Sequence, residues 1–282
     1  MRIMIPSIIC LSVMACQHTV QQTTPPPNNL HNVCYPNGCP NPPPPANSVK
    51  IEGTFTVVPE PTYCPNGMVH VVGDYCPKVE QKCLEWMSKE EADKPWARCK
   101  RYQQPSVCLS KQRVHMDYCI DREELHDEMG MPYDLTWGEA QKMCTDRGAK
   151  LCDEDQWNMA CEGEDMAPYP YGSGFEFSNT TCNTERQPIM CGNKACDYRA
   201  NITEFPGCTS LQYHVHQMVG DTDDWIEVPQ YAHSSVPGLM LRSGLKGGTM
   251  FGGRHRCRPI TKNHGAGYHN FTDGRCCQVS SQ

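Results

Sequence analysis

Long apolar runs are almost missing from this chain. Beyond the stretch from Ile3 to Ala15, no segment is apolar enough to cross a bilayer, and that stretch is itself too short to span one. Aromatic residues make up only 8% of the sequence and the mean hydropathy is −0.60. Positive charge is also in deficit. Twenty-five Lys and Arg against 32 Asp and Glu give a net charge of −7, which argues against nonspecific nucleic-acid binding by the chain as a whole. No internal repeat is present.

Cysteine and proline are what the sequence has in excess, 20 and 24 in 282 residues. Cysteine at this density implies an oxidising compartment and a disulfide framework whose connectivity the sequence cannot give. The N-terminus agrees. Arg2 precedes the apolar run, which ends Leu11-Ser12-Val13-Met14-Ala15-Cys16, similar to a bacterial lipobox. Residues 1–15 are therefore expected to be a signal peptide and Cys16 the lipidated first residue of the mature chain. Gln17 rather than Asp after that cysteine favours the outer membrane in a Gram-negative cell. Removing Cys10 and Cys16 leaves an even number of cysteines.

From 16 to 48 the sequence is rich in Gln, Thr, Asn and Pro, with Pro25-Pro26-Pro27 and Pro42-Pro43-Pro44-Pro45. This composition predicts an extended stalk holding the globular part, 49–282, away from the membrane. Ile51 to Val58 alternates as a strand does, Val69 to Val72 and Val114 to Ile120 read as two more, and Lys78 to Trp86 as a helix. Thr136-Trp137-Gly138-Glu139 and Asp153 with Gln156 are capping-box patterns. Each opens an apolar stripe that a glycine, Gly148 or Gly163, then stops. The expected class is α+β, loop-rich and disulfide-stapled.

Several phrases in order then resemble one family. They are Tyr118 to Glu124 with its Asp-x-x-Glu, Trp137 to Cys144, Ala149 to Cys161, Tyr169-Pro170-Tyr171-Gly172 with Cys182-Asn183, Met218 to Trp225, Lys246 to Thr249, and Asp273 to Cys276. Together they resemble the formylglycine-generating enzyme (sulfatase-modifying factor) domain, a variant of the C-type lectin fold, with 117–277 the best-matching part. The family's reactive centre is a pair of cysteines that binds copper(I), a soft metal suited to thiolates. Here no cysteine falls between Gly248 and Arg256. No copper and no formylglycine-generating activity are expected.

The resemblance also implies structural calcium at the acidic turn, through Gln217, Gly220, Thr222 and Asp224, with Asn183 near a second family site. Oxygen donors of this kind suit a hard cation, and a metal-free acidic turn is the alternative. Between Arg242 and Arg275 there are seven Lys and Arg and one acid, Asp273. Arg242, Lys246, Arg254, His255, Arg256 and Arg258 are candidates to bind an anionic glycan or peptide, because guanidinium forks suit carboxylate, sulfate and phosphate. The alternative is that these arginines pair with the chain's own acids, at 217–227 and 121–128. His214-Val215-His216 would place two imidazoles on one strand face, half of a zinc site.

Three functions remain open on the sequence. The chain is a non-catalytic envelope lipoprotein that binds a protein or glycan in the periplasm or at the cell surface, an enzyme of altered chemistry, or a structural subunit of an envelope assembly.

Overall fold

Where the sequence alternates apolar and polar residues, strands form and pair across long sequence distances. The computed structural model describes residues 63–281 apart from 91, 93–96, 186, 187, 234–239, 251–253, 263 and 266. The predicted signal segment, Cys16, the stalk and the strand at Ile51 to Val58 lie outside the described residues. The first described strands are β1 (Met68–Tyr75), β2 (Val79–Glu80), β3 (Cys83–Trp86), β4 (Cys99–Tyr102), β5 (Val107–Cys108) and β6 (Val114–Asp121). Helix α1 (Trp137–Asp146), strand β7 (Lys150–Leu151) and helix α2 (Glu154–Glu162) come next. They are followed by β8 (Ile189–Cys191), β9 (Lys194–Asp197), β10 (Asp223–His233), β11 (Met240–Lys246), β12 (Thr272–Gly274) and β13 (Cys276–Val279).

The class is α+β, sheet-rich, with two helices among the described residues. An antiparallel sheet runs β1-β6-β13-β7, and a smaller sheet runs β11-β10-β12, in which β10 and β12 are parallel. The chain passes from the small sheet to the large one through a single residue, Arg275, between β12 and β13.

Both predicted helices form, and both capping boxes close. Thr136 and Glu139 exchange side-chain and backbone bonds at the start of α1, and Asp153 and Gln156 do the same for α2. Each box satisfies amides that the first helical turn leaves without an intrahelical partner. Trp157, Met159, Ala160 and Cys161 of α2 join the main core with Val71, Tyr118 and Ile120, while Ala140 and Cys144 of α1 pack in a second cluster with Leu151 and Trp225.

The helix predicted from Lys78 to Trp86 does not form. That stretch is β2 and β3, because β3 pairs with β4 and Cys83 is bonded to Cys99. A local helical preference is worth tenths of a kcal/mol per residue, and a ladder with a covalent staple outweighs it.

Disulfides fasten α1 to the large sheet and α2 to the basic segment. Cys144–Cys276 and Cys152–Cys277 fasten α1 and the residue after β7 to adjacent positions on β13, across separations of 132 and 125 residues. Cys161–Cys257 ties α2 to the basic segment. Closing loops of that length removes roughly 5 kcal/mol of unfolded-state entropy each in the chain-entropy account.

Candidate functional site

The turn from Gln217 to Asp224 is wound tightly enough to need unusual backbone. Gln217, Gly220 and Asp221 all have positive φ, at 50°, 80° and 59°. At Gly220 a Cβ would lie 2.6 Å from the carbonyl oxygen of Asn183, so only glycine fits. The Asp221 amide donates to that same carbonyl at 2.8 Å. The Asp221 carboxylate accepts from the Asn183 side-chain amide and from the Ala200 backbone amide.

The next two acids point to different partners. Asp223 accepts from Arg254 at 2.7 and 3.0 Å and from the Gly248 amide at 2.9 Å. Burial pushes its carboxyl up to about 6 against the pull of Arg254. Asp224 Oδ2 accepts from the Trp157 indole at 2.7 Å and from Arg275 Nε at 3.2 Å.

Arg275 is fully buried and carries the centre. Its guanidinium donates to the carbonyls of Arg122 and Gln217 and lies 3.7 Å from Glu124 Oε1. Asp273 completes the group. One oxygen each of Glu124, Asp224 and Asp273 lie within 4.8 Å of one another, the one such cluster among the described residues. All three residues are buried, and Asp273 has no hydrogen-bond partner at either oxygen. Burial, then the repulsion of neighbouring carboxylates, holds Glu124 and Asp273 well above the usual carboxylate range despite Arg275.

The five predicted calcium ligands are therefore divided. Asn183 and Gly220 pack together beside Asp221, whereas Thr222 and Asp224 face Glu124 and Asp273. Gln217 gives its backbone carbonyl to Arg275, and its side-chain amide is buried without a hydrogen bond. Glu124 and Asp273 received no such role in the sequence reading. Their signal was faint: Asp273 is the single acid in the basic window, and Glu124 ends the Asp-x-x-Glu phrase.

The basic segment is spent inside the molecule. Lys246 Nζ is buried, 2.7 Å from Asn158 Oδ1 and 3.0 Å from the Arg258 carbonyl, over the Trp157 ring, and burial pushes its amine down to about 7. His255 Nε2 donates to the Thr249 carbonyl at 2.6 Å in a buried contact. A carbonyl can only accept, so its Nε2 carries the proton there, and burial lowers the imidazole to about 4. Arg254 holds Asp223, Arg256 meets the Tyr102 hydroxyl, and Arg258 binds buried Glu162 and the carbonyls of Cys76 and Pro77. The Arg242 side chain lies outside the described residues.

The strand expected at His214 to His216 is broken. His214 has φ of 56° and closes a turn onto the Ser210 carbonyl, and His216 pairs with Glu123 at 2.7 Å. Two imidazoles on one strand face do not result.

No protein-family model and no curated protein matches the sequence. Two solved structures are similar at low identity. "Crystal Structure of CarF" aligns over 76% of this chain and 98% of its own, with 11% identity and a TM-score of 0.49. "Structure of PvdO from Pseudomonas aeruginosa" aligns over 75% and 94%, with 10% identity and a TM-score of 0.46.

Proposed function

We propose that the chain is a non-catalytic, lipid-anchored binding protein of the bacterial envelope, built on a formylglycine-generating-enzyme-like, C-type-lectin-like domain. The observation that carries the non-catalytic reading is the state of the cysteines. Each of the 15 cysteines from Cys64 to Cys277 whose side chain is described is disulfide-bonded, Cys191 and Cys257 included. A copper(I) oxidase of this kind needs free thiolates, and no cysteine occupies the window after Gly248.

The partner is read as a protein rather than an anionic glycan. Five of the six cationic candidates hold side chains or carbonyls of their own domain, so they offer little to an external anion. An open pocket of about 340 Å³ between the end of β6 and α1 supplies a concave surface instead, lined in part by Asn66, Glu123, His126, Met143 and Arg147.

Two measurements test this reading. Purified protein incubated with copper(I) and a sulfatase-motif peptide should form no aldehyde; aldehyde formation would overturn the non-catalytic claim. A photo-crosslinking amino acid placed at Met143 in intact cells should give a discrete adduct with another protein. A silent Met143 probe would remove the pocket from the proposal.

A further inference from the structure

We propose that the pocket between the end of β6 and α1 receives a lysine side chain of the partner protein. This rests on the reading of that pocket as the docking surface and names what enters it. Charge, unused bonding capacity and shape carry it.

The charge is negative. From Asp121 to Asp134 the chain holds six acids against one arginine, Arg122, and no lysine. Three of those acids, Asp121, Glu123 and Glu124, line the pocket. The one arginine lining it, Arg147, donates to Asp121 at 2.5 Å, so its charge is already matched. Acidity of this kind draws a basic partner and repels an acidic one.

The bonding capacity lies in Glu124 and Glu123. Glu124 is 1% exposed and accepts no hydrogen bond at either oxygen, and its nearest cation, Arg275 at 3.7 Å, also serves Asp224. A carboxylate sealed from water is weakly screened, so it acts on the pocket through its field. Burial and neighbouring carboxylates hold Glu124 well above the usual carboxylate range, so a cation entering the pocket and the charged form of Glu124 favour each other. Glu123 is the acid within reach, its side chain 21% exposed. His216 holds its Oε1 at 2.7 Å, while Oε2 has no hydrogen bond.

One free oxygen selects the ligand. An ammonium is a compact donor that needs a single acceptor, whereas a guanidinium binds best to both oxygens of one carboxylate. His126 lines the pocket with its Nδ1 donating to the Asp127 carbonyl at 2.8 Å, which leaves Nε2 of the neutral ring as a second acceptor. Leu125 and Met143 supply an apolar wall for the methylene stem. A volume of about 340 Å³ lies near the small end of ligand pockets and admits one side chain rather than a helix or strand.

The test uses the purified full chain and three capped tripeptides, Gly-X-Gly with X as lysine, arginine or norleucine. Norleucine keeps the stem and removes the charge. Saturation transfer from protein to peptide protons reads each one. The lysine peptide should bind saturably, the arginine peptide more weakly, and the norleucine peptide at least about tenfold more weakly, the scale of a lost hydrogen bond to a charged group. Glu123→Gln should weaken the lysine peptide by about tenfold on the same scale. Met143→Lys places an ammonium in the pocket, should abolish binding, and serves if Glu123→Gln does not fold. No transfer to the lysine peptide would overturn the proposal. So would norleucine binding as well as lysine, arginine binding more tightly, or lysine binding unchanged in both variants. A crosslink at Met143 without lysine binding would keep the docking surface and remove the lysine; lysine binding with a silent Met143 probe would do the reverse.

Discussion

Asp224 and Asp273 are register partners in the parallel pairing of β10 with β12, so two buried carboxylates stand side by side on neighbouring strands. Like charges opposite one another destabilise a sheet even at the surface. Here both are removed from water, and only Arg275 opposes them directly. Asp273→Asn should therefore raise stability in chelator, by about 1–3 kcal/mol on the scale of relieved buried charge. Denaturant melts of both proteins in chelator measure it.

The same relief should depend on pH. Asp273 has a folded-state pKa above its unfolded one, so its contribution is most favourable below the unfolded pKa and is lost as pH rises through the folded value. In chelator, the stability gap between Asp273→Asn and wild type should be wide at pH 8 and close on acidification toward pH 4. Asp223 and Glu124 move stability in the same direction, and His255, lowered to about 4, moves it oppositely below about 6.5. Subtracting the variant from the wild type removes the contribution of His255, whereas Glu124, which repels Asp273, stays within the difference and acts in the same direction. A gap that stays constant with pH would contradict the placement of Asp273.

Arg254 is read as scaffold, and its removal should show it. Arg254→Ala leaves Asp223 buried beside a single amide donor, a loss of about 3–5 kcal/mol for a broken buried pair. Asp223→Asn combined with Arg254→Ala should recover part of that loss, and a double-mutant cycle measures the coupling. Coupling near zero would return Arg254 to the list of external anion contacts.

Cys152 and Cys277 close a loop of 125 residues in sequence separation. Replacing both by serine should cost about 2–5 kcal/mol while leaving the domain foldable through its other bridges. Thermal unfolding with intact-mass thiol counting checks it.

Much of this was legible in the chain before any coordinates. The two helices announced themselves through Thr136 with Glu139 and Asp153 with Gln156, because a capping box is a local, four-residue signal. The strands at Val69 and Val114 followed from alternation. Lys78 to Trp86 misled because its partner, β4, and its disulfide lie outside any local window. The acidic turn showed three of its carboxylates, yet the two that gather with Asp224, Glu124 and Asp273, sit 100 and 49 positions from it in sequence, and the parallel β10–β12 pairing brings Asp273 to it. The density of arginine suggested an outward groove. Spacing cannot tell an exposed guanidinium from one that reaches an interior carboxylate, and Arg254, Arg258 and Arg275 all do the latter.

The most direct measurement is mass spectrometry of a sulfatase-motif peptide after incubation with the purified chain and copper(I). The account predicts that the peptide cysteine stays unconverted, because the window after Gly248 holds no cysteine. A peptide carrying the formylglycine aldehyde would contradict it.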